Sequence, residues 1–289
     1  MNICVIGGDS RIVELVKMLH EDGNNLLLYG LEKSVQLSKA QSEGYRHAHN
    51  LQQALQKTDF VITSIPLTKD GVTVNAVYTE KNILVEDVFK MLNNVKIITG
   101  NITEKIMEYV KPENNVELID VLKLEELTVL NAIPTAEGAI QIAMEKSPIT
   151  LHGSNCLVLG FGRIGKILSK MLMGIGANVY CEARKQSDIA WIKSYGYKAI
   201  ELDELNDYLG SCDFIFNTIP HLILDETRLK LIKKQCILID LASKPGGIDF
   251  EKSREIGIDT EWALALPGKV APRTSANYIY EIIKKLKFN

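Results

Sequence analysis

What this 289-residue sequence lacks narrows it first. Neither charge is in excess: 33 Lys and Arg stand against 36 Asp and Glu, a formal net charge of −3. That balance argues against nucleic acid or an anionic membrane as the main partner. No apolar run approaches the ~18 residues that a membrane span needs. There is no CxxC pair. The five cysteines (Cys4, Cys156, Cys181, Cys212, Cys236) are widely spaced, mostly in apolar runs, and read as small core residues of a reduced cytoplasm. No HExxH or Cys/His set suggests a metal, no serine elbow suggests a hydrolase, and no pair of carboxylates stands out for acid–base work. Low-complexity tracts and solenoid repeats are missing too. The opening, Met1 to Gly8, has no basic n-region and runs at once into a turn, so no secretory leader is expected. What is there is ordinary globular composition, 46% hydrophobic and 24% charged, at a length that suggests two domains.

Short β-branched runs alternate with amphipathic stretches, which predicts α/β architecture: parallel sheets with helices on both faces. In the first half, strands are expected at Asn2–Ile6, Leu26–Tyr29, Phe60–Thr63, Val95–Thr99 and Val116–Ile119. Ile12, Leu15, Val16 and Leu19 form one helical stripe after the first strand, and another helix is expected from about Ile102. A helix is expected over Pro134–Lys146, with Pro134 in its first turn and Glu137 near its start. A second series follows, with strands at Asn155–Leu159, Ala177–Cys181, Asp213–Asn217, Cys236–Leu241 and Ile258–Ala263. The last segment, Thr274–Leu286, places Ala276, Ile279, Ile283 and Leu286 on one face. It follows no strand of its own and is expected to return to the first lobe.

The strongest local signal is Gly160-Phe161-Gly162-Arg163-Ile164-Gly165, a GxGxxG directly after an apolar strand and before a helix with Ile164, Ile167, Leu168, Met171 and Leu172 on one stripe. Gly160 allows the tight turn, Gly162 lets the backbone approach a pyrophosphate, and Gly165 lets helix and strand pack closely; the helix start offers amides and the positive dipole end. Two Rossmann-like lobes are therefore expected: an N-terminal substrate and catalytic domain at 1–130 plus 270–289, and an NAD(P)-binding domain at 131–269. In the second strand, Ala183 falls at the usual acidic position, followed by Arg184 and Lys185. A small residue and two cations suit a 2′-phosphate and predict NADP. A shift of one residue would put Glu182 there and favour NAD. Asn217-Thr218-Ile219-Pro220-His221 and Asp240-Leu241-Ala242-Ser243-Lys244 each end an apolar strand, where open parallel sheets place their ligands. Arg163, Ile164, Thr218, Ile219, Pro220 and Leu241 thus join the three glycines as cofactor candidates.

Four polar clusters are candidates for a substrate: Gly7 to Arg11 at a helix start, Asn131 to Gly138 at an expected hinge, Ser243-Lys244, and Leu266 to Thr274 before the last helix. They are expected to border one cleft between the lobes. Each also has a plain reading as a cap or turn. His221 reads either as a base or as an exposed residue after Pro220.

Ile133-Pro134-Thr135-Ala136-Glu137-Gly138, Gly160 to Gly165, Asp240 to Gly247 and Leu266 to Thr274, with the Gly7–Arg11 opening, resemble the family of the dipicolinate synthase A subunit over nearly the whole chain. The closing segment is also similar to that of alanine dehydrogenases. The resemblance implies oxidation of 4-hydroxy-tetrahydrodipicolinate, an intermediate of the lysine pathway, to dipicolinate, with NADP or NAD. It further implies a partner, the flavoprotein-like B subunit, and the mother cell of a sporulating bacterium as location. Homo-oligomerisation is an open expectation. A dicarboxylate needs two anion sites. Candidates are the Ser10-Arg11 helix start and Arg273, with Lys244 third; Thr135, Glu137 and Ser243 would handle protons or orient. No motif singles out a catalytic base. The competing readings are another two-lobed dehydrogenase acting on an amino or hydroxy acid, and a non-catalytic nucleotide-binding partner of the B subunit.

Overall fold

The structure, a computed structural model, describes residues 1–38 and 45–287. The chain divides into two compact units, Met1–Leu130 with Ala271–Asn289, and Asn131–Val270. Among the described residues the first unit has a six-stranded sheet in the order β3-β2-β1-β4-β5-β6. Its strands are β1 (Asn2–Ile6), β2 (Asn25–Tyr29), β3 (Arg46–His47), β4 (Phe60–Thr63), β5 (Val95–Thr99) and β6 (Val116–Asp120). The second unit has β7 (Asn155–Leu159), β8 (Asn178–Glu182), β9 (Lys198–Ile200), β10 (Phe214–Asn217), β11 (Ile237–Asp240) and β12 (Asp259–Trp262). Its order, β12-β11-β10-β7-β8-β9, is the same topology. Every pairing is parallel. These are two Rossmann-like α/β lobes, each reversing its strand order beside its first strand, the place where such sheets take ligands.

The near-continuous apolar strands follow from burial on both faces. In the first unit one face packs Ile3, Val5 and Ile62 against the Ser10–Glu21 helix, and the other packs Cys4, Val61 and Ile97 against Val85, Val88 and Phe89. The final helix, Pro272–Lys287, returns to the first unit. Its Ala276, Ile279, Ile282 and Ile283 share a core cluster with Ile12, Leu15, Val16 and Leu19. Tyr280 donates to Asp22 at 2.7 Å and Lys285 reaches Glu126 at 2.6 Å. All five cysteines are buried and free, and burial pushes the thiols of Cys156, Cys181 and Cys212 up to about 12.

One expectation is corrected. Pro134 does not open a helix; it lies inside one that runs Glu125–Lys146. Lacking an N–H, Pro134 leaves the Leu130 carbonyl without its i→i+4 donor. The Glu125-Glu126 start, acidic and suited to the positive end of a helix, was the signal for the earlier beginning. β3 and β9 were not expected either, being only 2 and 3 residues long.

Ile283 is fully buried between the final helix and the first. Ile283→Ala should cost roughly 2–5 kcal/mol, read as a lowered urea midpoint by circular dichroism.

Candidate active site and cofactor cradle

Both units place a glycine turn after their first strand, but the two turns are occupied differently. In the first unit the Gly8 N–H donates to the Asn75 carbonyl at 2.9 Å, and Val77 N–H returns a bond to the Gly8 carbonyl. A Cβ on Gly7 would meet Val74 and Ala76 at about 3 Å. The loop after β4 therefore lies on this turn. Asp9 caps the Ser10–Glu21 helix, accepting from the Arg11 N–H at 3.0 Å. The guanidinium of Arg11, 7% exposed, holds both oxygens of Asp9 and donates to the Ile65 carbonyl. The carboxylate held at this helix start is the chain's own, and it offsets the Arg11 charge.

The second unit is open where the first is filled. The Arg163–Ile175 helix has Gly162 as N-cap, with no side-chain cap. Open space surrounds the position of a Gly162 Cβ. Gly160 has φ +89°, a conformation that favours glycine, and a Cβ there would lie 2.7 Å from the Thr218 hydroxyl. Gly165 abuts the Gly160 carbonyl, so that any side chain would separate helix from strand. Thr218 donates through N–H and hydroxyl to the Leu159 carbonyl, both at 2.9 Å. Ile219 lies over Gly160, and the Leu241 N–H bonds the Asn217 carbonyl at 2.8 Å. The structure thus gathers Gly160, Gly162, Gly165, Thr218, Ile219 and Leu241 at one sheet edge. An uncapped, positive helix end facing open space fits a dinucleotide's pyrophosphate.

At the end of β8, Glu182 is 1% exposed and neither carboxylate oxygen has a hydrogen-bond partner among the described residues, whereas Arg184 and Lys185 are exposed. Burial pushes the Glu182 carboxyl above its usual range, with the nearby Gly160 amide, then Arg184 and Arg228, pulling it partly back. Beneath the loops after β10 and β11 lies a polar pair, Asn217 and Asp240, both fully buried. Asp240 accepts from the Asn217 amide at 2.8 Å, the Ala242 N–H at 2.9 Å and the Gly247 N–H at 2.8 Å. Asn217 also clamps Ile219, accepting from its N–H and donating to its carbonyl, each at 3.0 Å. The sequence marked these two residues only as strand ends. The readable signal was a polar residue closing each of two otherwise apolar runs, Phe-Ile-Phe-Asn and Ile-Leu-Ile-Asp.

Ser243, Lys244, Pro220 and His221 are exposed on these two loops. Thr135 donates its hydroxyl to the Asn131 carbonyl at 2.8 Å, while exposed Glu137, two positions on, points about 200° around the helix. The structure does not bring those two together. Arg273 is exposed in the first turn of the final helix, and neither it nor Lys244 has an ion-pair partner among the described residues. A concavity of about 590 Å³ in the first unit, lined by Asn2, His20, Asn24, Arg46 and Lys57, lies at the N-terminal strand ends, the edge opposite the ligand edge.

Fold and cradle, with the matches that follow, are those of a nicotinamide-dependent dehydrogenase. Residues 134–245 match the NAD binding domain of D-isomer specific 2-hydroxyacid dehydrogenases, and residues 2–122 match the N-terminal domain of the dipicolinate synthase A subunit. The chain is 31% identical to the dipicolinate synthase A subunit of Bacillus subtilis, over 99% of this chain and 95% of that one. It belongs to the family of the dipicolinate synthase A subunit. The crystal structure of the Bacillus halodurans member superposes with a TM-score of 0.88 at 27% identity, covering 99% of this chain and 97% of the other. An L-alanine dehydrogenase, at 13% identity and TM-score 0.66 over 100% and 90% of the two chains, shares the fold. No helix among the described residues is long and apolar enough to cross a membrane.

Two outcomes are expected. Gly162→Ala should leave stability within ~1 kcal/mol, yet weaken nucleotide binding tenfold or more, about 1.4 kcal/mol by calorimetry. Glu182→Gln tests the buried acid. Its raised folded pKa means that the native state binds more protons than the unfolded chain above the ordinary carboxylate range, so stability falls as pH rises there. The glutamine variant should melt above wild type at pH 7, with the gain shrinking toward pH 4.

Proposed function

We propose that this chain oxidises 4-hydroxy-tetrahydrodipicolinate to dipicolinate with NADP, working with a second subunit of the flavoprotein-like B type in the mother cell of a sporulating bacterium. The observation that carries the reading is the chain-long similarity to the dipicolinate synthase A subunit, joined to an open glycine cradle. Loss of the 4-hydroxyl as water and of one hydride and one proton turns the reduced ring into the aromatic dicarboxylate. The nicotinamide, when bound, accepts the hydride.

The chain's own residues then have these tasks. Gly160, Gly162 and Gly165 with the Arg163-Ile164 amides cradle the pyrophosphate. Thr218, Ile219, Pro220 and Leu241 line the nicotinamide side. Arg184 and Lys185 receive the 2′-phosphate. NADP is favoured because the acid that would repel this phosphate, Glu182, is buried, while both cations are exposed. Lys244 and Arg273, each without an ion-pair partner among the described residues, are assigned to the substrate carboxylates. Arg11, its charge already offset by Asp9, shapes the helix start that presents Ser10. Ser243, Thr135 and Glu137 orient the ring or carry its protons.

Purified protein given the substrate, formed in situ, and NADP should show nicotinamide reduction together with the ultraviolet band of dipicolinate. No reduction with or without the B-type partner would overturn the reading; reduction with a 2-hydroxy acid alone would replace it. Arg184→Ala should weaken NADP by about 10- to 100-fold, the ~1.5–3 kcal/mol of a hydrogen bond to a charged group, while NAD binding stays constant. Arg273→Ala should lower kcat/KM for the dicarboxylate and leave the NADP Kd unchanged.

A further inference from the structure

The loop that carries Ser243 and Lys244 projects from the sheet on two anchors, and both end on one carboxylate. On one side the Ala242 N–H donates to Asp240 Oδ1 at 2.9 Å; on the other the Gly247 N–H donates to Asp240 Oδ2 at 2.8 Å. Gly246 N–H closes the turn on the Ser243 carbonyl at 2.9 Å. The Trp262 indole, stacked on Phe250, donates to the Ala242 carbonyl at 3.0 Å and braces the first anchor. Ser243, Lys244 and Pro245 are exposed, whereas Ala242, Gly246 and Gly247 are buried. A short displayed segment therefore stands on a buried clamp.

The clamp reaches further. Through Asn217 it grips Ile219, which covers Gly160, and the carbonyl of Gly247 receives the N–H groups of Ile223 and Leu224 at 2.9 and 3.0 Å. A Cβ on Gly247 would collide with the Asn217 amide and the carbonyls of Ile219 and His221. The loop after β10 and the loop after β11 are thus built on a single buried pair whose polar atoms are bonded to each other and to both loops. Such a pair is expensive to leave half-satisfied, so its geometry is strongly fixed.

We propose that Asp240, supported by Asn217, is a positioning residue: it sets where Ser243 and Lys244 stand relative to the nicotinamide-side loop Thr218–Pro220, without touching substrate or cofactor. The proposal rests on the assignment of Ser243 and Lys244 to the substrate. Hydride transfer is sensitive to such placement, since a misplacement of about 1 Å costs on the order of 100-fold in rate.

Asp240→Asn keeps the shape. One oxygen can still accept from Ala242 and Asn217, but an NH₂ then faces the Gly247 N–H, donor against donor, and frees that anchor. The expected result is an NADP Kd within about threefold of wild type and a kcat lowered about 100-fold. In a Trp191→Phe background, Trp262 emission should shift as its Ala242 partner loosens. A kcat within twofold of wild type would overturn the proposal, as would NADP affinity falling in step with kcat, the mark of a merely structural role. If Asp240→Asn does not fold, Trp262→Phe carries the same test: it removes one brace, and kcat should fall several-fold at constant NADP Kd, an unchanged kcat overturning the proposal. Ser243→Ala and Lys244→Ala separate the two ideas. If neither changes kcat or KM, the loop's substrate role falls; if they do and Asp240→Asn does not, only the positioning role falls.

Discussion

The first amides of a helix must be answered by something, because they have no partner within the helix. This chain answers them in two ways on two copies of one topology. In the first unit the Asp9 carboxylate supplies an acceptor from within, and the Asn75 carbonyl takes the Gly8 N–H of the turn before it. In the second, the Arg163–Ile175 helix begins at Gly162 with no side-chain cap and open space before it. The helix end there carries about half a positive charge, and the glycines that keep side chains away from it also fix the turn. The filled helix start of one lobe and the open one of the other thus differ in whether a carboxylate sits on them.

The rest of the candidate site is arranged around that end by the strand termini. β7, β10 and β11 all finish at the same edge, so the loops after them converge without any further device. What keeps the loops in register is polar and buried. Asn217 and Asp240 close two apolar strands; each holds the base of its own loop, and the bond between them ties the two bases together. A low-dielectric setting makes such a fully satisfied pair rigid and makes its partial loss costly.

Much of this was legible in the residues. The β-branched runs marked the long strands because strands buried on both faces must be apolar throughout, and the GxGxxG after β7 marked the cradle. β3 and β9 escaped because 2 or 3 residues hold no pattern. Pro134 misled because a proline suits a first turn better than the helix interior it occupies. The Arg11 expectation changed for a different reason: sequence shows a cation near a helix start, but only the folded turn shows that Asp9, two positions before it, already uses its charge. Likewise Glu182 and Arg184 are near neighbours in the sequence, and it is the end of β8 at Glu182 that leaves one inside and puts the other on the exposed loop beyond.

The five cysteines give the fold an unplanned property. Each thiol is sealed in a core cluster and held in its protonated, unreactive form, and they are divided between the two units: Cys4 in one, the other four in the second. Alkylation by a thiol reagent therefore has to wait for the chain to open. The position that becomes labelled reports which lobe has breathed, so the protein carries its own site-resolved clock for local unfolding.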